Sequence, residues 1–232
     1  MLIAWAFVKR DFLTAVAHEL RTPTMIIKGY AQRLRKVANL STDEAQALSA
    51  MERASKRIER LTESIVDLSA ITLGRIVLSM EHADLADLAL QAINSAPGAS
   101  THTVHFVPSL PAARVFVDPL RMRRVVAELI ENAARCSSAG SEIDVEIRVE
   151  GQKAMLSVRD HGVGISREAR DRIFEPFFHA HSGSPNDVGG LGLGLFLARE
   201  IVLRHGGAIA FESPHGRGTT FTVTLPLDTE GP

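Results

Sequence analysis

Two heptad stripes constrain the first third of this 232-residue chain more than any other feature. Apolar or seam-compatible residues recur as Leu13, Val16, Leu20, Pro23, Ile27, Tyr30, Leu34 and Val37, in alternating steps of three and four. That is the period of a coiled-coil seam on a long amphipathic helix. The helix ends near Leu40, and Ser41-Thr42-Asp43-Glu44 has the Ser-x-x-Glu form of a capping box that opens a second helix. A second seam follows as Met51, Ala54, Ile58, Leu61, Ile65 and Leu68. So short a connection makes the helices antiparallel neighbours. A lone pair cannot cover two such stripes, so a second copy is expected to complete a four-helix bundle.

After Gly74 the pattern changes to short β-rich runs alternating with helical ones, the mark of a separate α/β domain. Strands are predicted at Arg75 to Met80, Thr103 to Val107, Ala113 to Val117, Ile143 to Val149, Ala154 to Arg159 and Thr219 to Leu225. Helices are predicted at Leu85 to Ser95, Pro119 to Cys136, Arg167 to Phe174 and Leu193 to His205. The stretch from Phe178 to Gly190 is rich in Gly, Ser, Pro, Asn and His and reads as a mobile loop. The expected organisation is therefore a helical hairpin over 1–73 and a second domain over 74–232. A hydrophobic share of 45% is enough for two modest cores.

A formal net charge of -1, with both signs mixed along the chain, gives no reason to expect nucleic acid or an anionic membrane as partner. A protein partner is expected instead. The single cysteine, Cys136, cannot form an intrachain disulfide, and no Cys/His cluster has zinc spacing, which favours a reducing, cytoplasmic setting. Met1 to Val8 is apolar but ends at Lys9-Arg10, far short of the roughly 20 apolar residues of a spanning helix. It is either the end of a longer membrane or linker helix or, the reading favoured, the first turns of a buried one; the membrane is expected to enter only through a preceding segment.

With Leu13 and Leu20 at heptad position a, His18 falls at f, farthest from the seam, with Glu19 beside it and Thr22 one turn along. A neutral imidazole, with an unperturbed pKa of about 6.5, is a fair nucleophile, and an adjacent carboxylate can take a proton from its second nitrogen. An isolated His-Glu pair on a helix would usually be no more than a solvated face. Here it stands in Phe12-Leu13-Thr14-Ala15-Val16-Ala17-His18-Glu19-Leu20-Arg21-Thr22-Pro23, which resembles the H-box of sensor histidine kinases.

The second domain has no Walker-type Gly-x-x-x-x-Gly-Lys motif. Its segments Glu128 to Arg135, Asp160-His161-Gly162-Val163-Gly164, Phe174-Glu175-Pro176-Phe177-Phe178, Gly190-Leu191-Gly192-Leu193-Gly194 and Gly218-Thr219-Thr220-Phe221 resemble, in order, the N, G1, F and G2 boxes and closing strand of the histidine kinase ATP-binding domain. The resemblance spans Phe12 to Leu227.

What the resemblance implies is an α+β protein: an antiparallel helical hairpin dimerising into a four-helix bundle, followed by an α/β sandwich of the histidine kinase/Hsp90/gyrase type. His18 would be the phospho-acceptor and Glu19 the general acid/base, with Thr22 orienting a hydrolytic water. Asn132 would ligate Mg²⁺, Asp160 would accept from the adenine amino group with Thr219 nearby, and Gly162 and Gly164 would belong to the same nucleotide-binding site. Gly190, Gly192 and Gly194 would surround the phosphates of ATP, Arg135 would contact phosphate, and 178–190 would form a lid. The product would pass to the receiver domain of a response regulator, docked near Met25, Gly29 and Tyr30.

Two positions depart from the pattern: His179 stands where arginine is common, and Cys136 where an aromatic is common, its role being packing rather than redox sensing. His161, His181 and His205 read as surface or loop residues. The competing reading is an ATPase or serine kinase of the same superfamily that uses Glu128, one turn before Asn132, as general base.

Overall fold

The computed structural model describes residue 20 and residues 23–35, 40–180, 191–214 and 217–228. Contacts divide the chain into two units, Met1–Ile76 and Val77–Pro232. The first holds a helix over 23–35 (α1) and the long helix Thr42–Thr72 (α2). The capping box starts α2: Glu44 N–H donates to Ser41 Oγ at 3.4 Å and Ser41 N–H to the Glu44 carboxylate at 2.9 Å.

Within one chain the helices meet along a stripe different from the predicted seam. The buried positions include Thr24 and Ala31 on α1, and Leu48, Ser55, Thr62 and Ser69 one heptad apart on α2, where Ile71 near the helix end is buried too. Ser55 Oγ donates to Thr24 O at 2.8 Å, which sets an antiparallel register. Lys28 reaches Glu59 at 2.7 Å, and Arg35 reaches Glu52 at 2.8 Å. Helical side chains lean toward their own amino terminus, so these long-armed pairs meet at the levels of Thr24/Ser55 and Ala31/Leu48. The predicted seam residues Ile27, Tyr30, Leu34 and Met51 are left exposed, at 50%, 65%, 53% and 51%. Apart from Leu48, small and hydroxylated residues therefore serve the contact inside the hairpin, and the larger apolar stripe faces outward.

The second unit runs β1 (Glu81–Asp84), α3 (Leu85–Ser95), β2 (Thr103–Val107), β3 (Arg114–Val117), α4 (Pro119–Cys136), β4 (Glu142–Glu150), β5 (Lys153–Asp160), α5 (Gly194–Arg204), β6 (Ala208–Glu212) and β7 (Thr220–Pro226). Strands β2-β4-β5-β7-β6 form a mixed sheet, parallel only between β2 and β4, and β1 pairs with β3 separately. Alternate residues Ile143, Val145 and Ile147, Ala154, Leu156 and Val158, and Phe221, Val223 and Leu225 are buried. They belong to one core with Leu85, Leu88 and Ala92 of α3, Met122, Val126, Leu129 and Ile130 of α4, and Ala198, Ile201 and Val202 of α5. Burial of each larger side chain contributes about 1.5–3 kcal/mol, so the helix stripes and the period-two strands together specify the layering.

Four sequence expectations need correction. Residues 75–80 form no strand, because the Ser79 N–H donates to the Asp118 carboxylate at 3.0 Å instead of to a ladder; pairing begins at Glu81. Arg167 to Phe174 is a 3-10 turn at Arg167–Ala169 followed by further turns, as the backbone bends to bring Phe174 against Phe211 and Phe221. Strand β6 was not foreseen; its alanines carry little β signal, and pairing with β7 holds it. His205 is buried rather than a surface residue. Its Nε2 accepts the Asp118 N–H at 2.9 Å and its Nδ1 donates to Ile201 O at 2.8 Å, so the partners specify the tautomer. Asp118 is also the N-cap of α4, accepting from Arg121 N at 3.1 Å, so His205 ties the end of α5 to the start of α4. His205→Leu leaves the buried Asp118 amide without its acceptor and is expected to lower stability by about 1–3 kcal/mol, read as a reduced urea midpoint at unchanged denaturant slope.

Candidate nucleotide site

Asp160 is the last residue of β5 and is 1% exposed. Antiparallel pairing brings it opposite Thr219, just before β7, and its N–H donates to Thr219 O at 2.9 Å. The chain turns at once after β5, and Gly162 N–H donates to Asp160 Oδ1 at 2.8 Å. Two glycines allow this crossing. A Cβ on Gly218, whose φ is +78°, would lie 1.9 Å from Asp160 O, and one on Gly162 would lie 2.0 Å from Cys136 O at the end of α4. The nucleotide-binding residues expected from the resemblance, Asp160, Gly162, Gly164 and Thr219, are thus brought together by backbone contact.

Burial raises the Asp160 carboxyl above its ordinary value, while the Gly162 and Thr219 amides and the nearby His161 and Arg159 pull it down. Burial, and secondarily the Asp160 charge, pushes the Cys136 thiol up to about 11, so at neutral pH it is an inert packing group, in line with its expected role. His161 is exposed and lies 3.1 Å from Asp144, and no group of three or more candidate metal ligands occurs among the described residues.

Asn132 is half-buried on α4, one turn beyond Glu128, whereas Arg135 is exposed near the helix end. Glu128 lies against the start of α5: a Cβ on Gly194 would come within 2.4 Å of its Oε2. Leu193 provides no side-chain cap, leaving the first-turn amides of α5 to other acceptors. Gly192 has φ +65°, and a Cβ there would strike the Phe177 backbone at 2.7 Å; Phe177 N–H donates to Gly192 O at 2.9 Å. Phe177 itself has φ 66°, a conformation that costs about 1–3 kcal/mol and that the contact with Gly192 holds. His179 is half-buried. His18, Glu19, Thr22, His181 and Gly190 lie outside the described residues.

Residues 8–74 match the family described as "His Kinase A (phospho-acceptor) domain", and residues 117–229 match "Histidine kinase-, DNA gyrase B-, and HSP90-like ATPase". The chain belongs to the histidine kinase family. Its two modules are those of a histidine kinase catalytic core. It is 32% identical over 229 residues to the alginate biosynthesis sensor protein KinB of Pseudomonas aeruginosa, covering 97% of this chain and 38% of KinB. It is 30% identical over 227 residues to the sensor histidine kinase WalK of Bacillus subtilis, covering 96% and 37%. The chain thus spans well under half the length of these curated relatives. Among solved structures, full-length ShkA in complex with AMPPNP aligns with a TM-score of 0.73 at 25% identity, over 96% of this chain and 47% of ShkA. No helix among the described residues is long and apolar enough to cross a membrane.

Sequence reasoning missed Ser213. This buried residue accepts from Ile165 N–H at 2.7 Å, holds the Gly218-Thr219 backbone, and receives Arg170 Nη2 on its carbonyl at 2.5 Å. The clue available in the sequence was its place just ahead of Gly216 and Gly218.

The raised Asp160 carboxyl has a sign that can be tested. The folded chain binds this proton more tightly than the unfolded one, so the associated stability is complete below the ordinary carboxylate range and is lost as pH rises through the raised value. Asp160→Asn is therefore expected to be more stable than the parent at neutral pH in urea unfolding, with the margin shrinking as pH falls through the carboxylate range.

Proposed function

We propose that the chain is the catalytic core of a two-component sensor kinase that transfers the γ-phosphoryl of ATP to His18 and then to an aspartate of a response regulator. The observation that carries this reading is the buried Asp160, backbone-locked to Thr219, in a chain whose preceding segment matches the phospho-acceptor family. A buried carboxylate beside a hydroxyl suits a purine amino group, which explains why a charge is kept where burial opposes it.

The phosphate-side residues fit a Mg²⁺-bound triphosphate. Gly194 has no Cβ, its bare Cα lies against Glu128, and the α5 amides carry no side-chain cap. The Asn132 amide oxygen is a hard donor of the kind this ion takes. Mg²⁺, when bound, would neutralise charge on the β- and γ-phosphates. Asn132 would hold the ion, Gly190, Gly192 and Gly194 would admit the phosphates close to backbone amides, and Arg135 would add positive charge.

A neutral His18 nitrogen attacks the γ-phosphorus, the bond to the bridging β,γ-oxygen breaks, and ADP leaves; Glu19 accepts the proton from the other ring nitrogen. Thr22 is the candidate to orient water for removal of phosphate from the regulator. The Glu128 ATPase or serine kinase reading is less favoured, because it gives no role to the phospho-acceptor segment that matches over 8–74.

The exposed stripe of Ile27, Tyr30, Leu34 and Met51 supports a homodimer through the hairpin, the second copy completing the bundle. Met25 and Gly29 are exposed as a receiver-docking surface requires, while exposed Tyr30 lies in the apolar stripe and suits the dimer seam equally. A cytoplasmic location fits this reading.

Incubation with γ-labelled ATP and Mg²⁺ is expected to give protein-bound label that is lost in acid and survives alkali. His18→Ala should abolish the label while ATP binding persists, and Glu128→Gln should still be labelled. Acid-stable label on the His18→Ala chain overturns the assignment. A paired substitution in the hairpin, Ile27→Asp with Leu34→Asp, is expected to give monomer by light scattering; a persistent dimer would place the interface elsewhere.

A further inference from the structure

Thr219 Oγ1 lies 3.1 Å from Ser213 Oγ, and either oxygen could be the donor in that contact taken alone. The surroundings of Ser213 decide the direction. A serine hydroxyl has one proton to donate and two lone pairs to accept with. Ser213 Oγ has three partners: Ile165 N at 2.7 Å, Gly218 O at 3.1 Å and Thr219 Oγ1. An amide N–H only donates and a carbonyl only accepts. The Ser213 proton therefore goes to Gly218 O, one lone pair takes the Ile165 N–H, and the other can be filled only by the Thr219 proton. Reversing the Ser213–Thr219 bond would withdraw the proton from Gly218 O in a site where Ser213, Gly218 and Thr219 are all buried.

The remaining contacts keep Ser213 in place. Its carbonyl accepts from Arg170 at 2.5 Å, and a Cβ on Gly164 would lie 3.1 Å from Ser213 Oγ, so the turn after β5 packs directly on the hydroxyl. With its proton committed to Ser213, Thr219 offers a ligand lone pairs only. The ionised Asp160 carboxylate likewise only accepts. A base entering here meets two acceptors and no hydroxyl donor from this pair.

We propose that Ser213 is a specificity-determining positioning residue, which by fixing the direction of the Thr219 O–H makes the site select 6-amino purine nucleotides over 6-oxo ones. The inference rests on the reading that Asp160 and Thr219 face the base. A 6-amino group donates to both acceptors, whereas a 6-oxo group sets a lone pair against them.

The test uses the full chain and two probes, ATP and ITP, with dissociation constants measured in Mg²⁺ for the parent, Ser213→Ala, Thr219→Val and the double variant. The parent is expected to favour ATP. Ser213→Ala frees the Thr219 proton to turn toward a 6-oxo group, so the ATP-over-ITP preference should fall about fivefold or more, the worth of one hydrogen bond. In the Thr219→Val background the same substitution should leave the preference unchanged. Equal weakening of both nucleotides by Ser213→Ala, or a change of preference that persists in Thr219→Val, overturns the proposal and makes Ser213 a structural residue. A parent that binds neither nucleotide overturns the adenine-site reading and this inference with it; a parent that binds ATP, with the preference unmoved by Ser213→Ala, overturns this inference alone. Should Ser213→Ala not fold, Ser213→Cys keeps nearly the volume with a far weaker acceptor, and the same fall in preference is expected of it.

Discussion

The backbone crossing at the end of β5 is the contact on which the site depends. Asp160 N–H donates to Thr219 O, and the missing Cβ atoms of Gly218 and Gly162 let that crossing close against the end of α4. Any side chain at Gly218 would meet a carbonyl 1.9 Å away, which no rotamer change relieves. Sheet, turn and helix therefore converge on one carboxylate, and the orientation of that carboxylate follows from main-chain hydrogen bonds, which are stiffer than side-chain packing alone.

The same arrangement costs stability. Burial disfavours the charged form of Asp160, and the amides of Gly162 and Thr219 only partly offset it. Left-handed Phe177, held against Gly192, is a second strained element of the same domain. Strain and buried charge at positions that also match nucleotide-binding motifs are what a site kept for binding rather than stability is expected to show. The hairpin likewise keeps large apolar residues exposed. Its internal contact runs through Thr24, Ala31, Leu48, Ser55 and Thr62, and its larger apolar stripe stays outside.

Much of this was legible in the residues. The helical runs predicted at Leu85 to Ser95 and Pro119 to Cys136 coincide with α3 and α4, and the predicted β-rich runs place β4, β5 and β7 to within a residue or two. Motif order brings out Asp160, Gly162, Gly164 and Thr219 before any geometry is known. Contacts between remote segments were not legible. Apart from Leu48, the hairpin's internal stripe is made of hydroxyls and alanine, which carry less hydrophobic signal than the Ile, Tyr, Leu and Met of the exposed stripe, so the heptad pattern marks the outward face. Strand β6 depends on its pairing with β7. Ser213 and His205 owe their roles to hydrogen-bond partners far along the chain, and a hydroxyl or imidazole gives no periodic pattern.

The most direct test of the nucleotide site is a crystal structure of the full chain with a non-hydrolysable ATP analogue and Mg²⁺. The adenine amino group is expected within hydrogen-bond distance of the Asp160 carboxylate, with Thr219 beside the base and the phosphates at the start of α5. A base bound elsewhere, with Asp160 still enclosed and unliganded, would contradict the assignment of this buried carboxylate as the adenine-reading group.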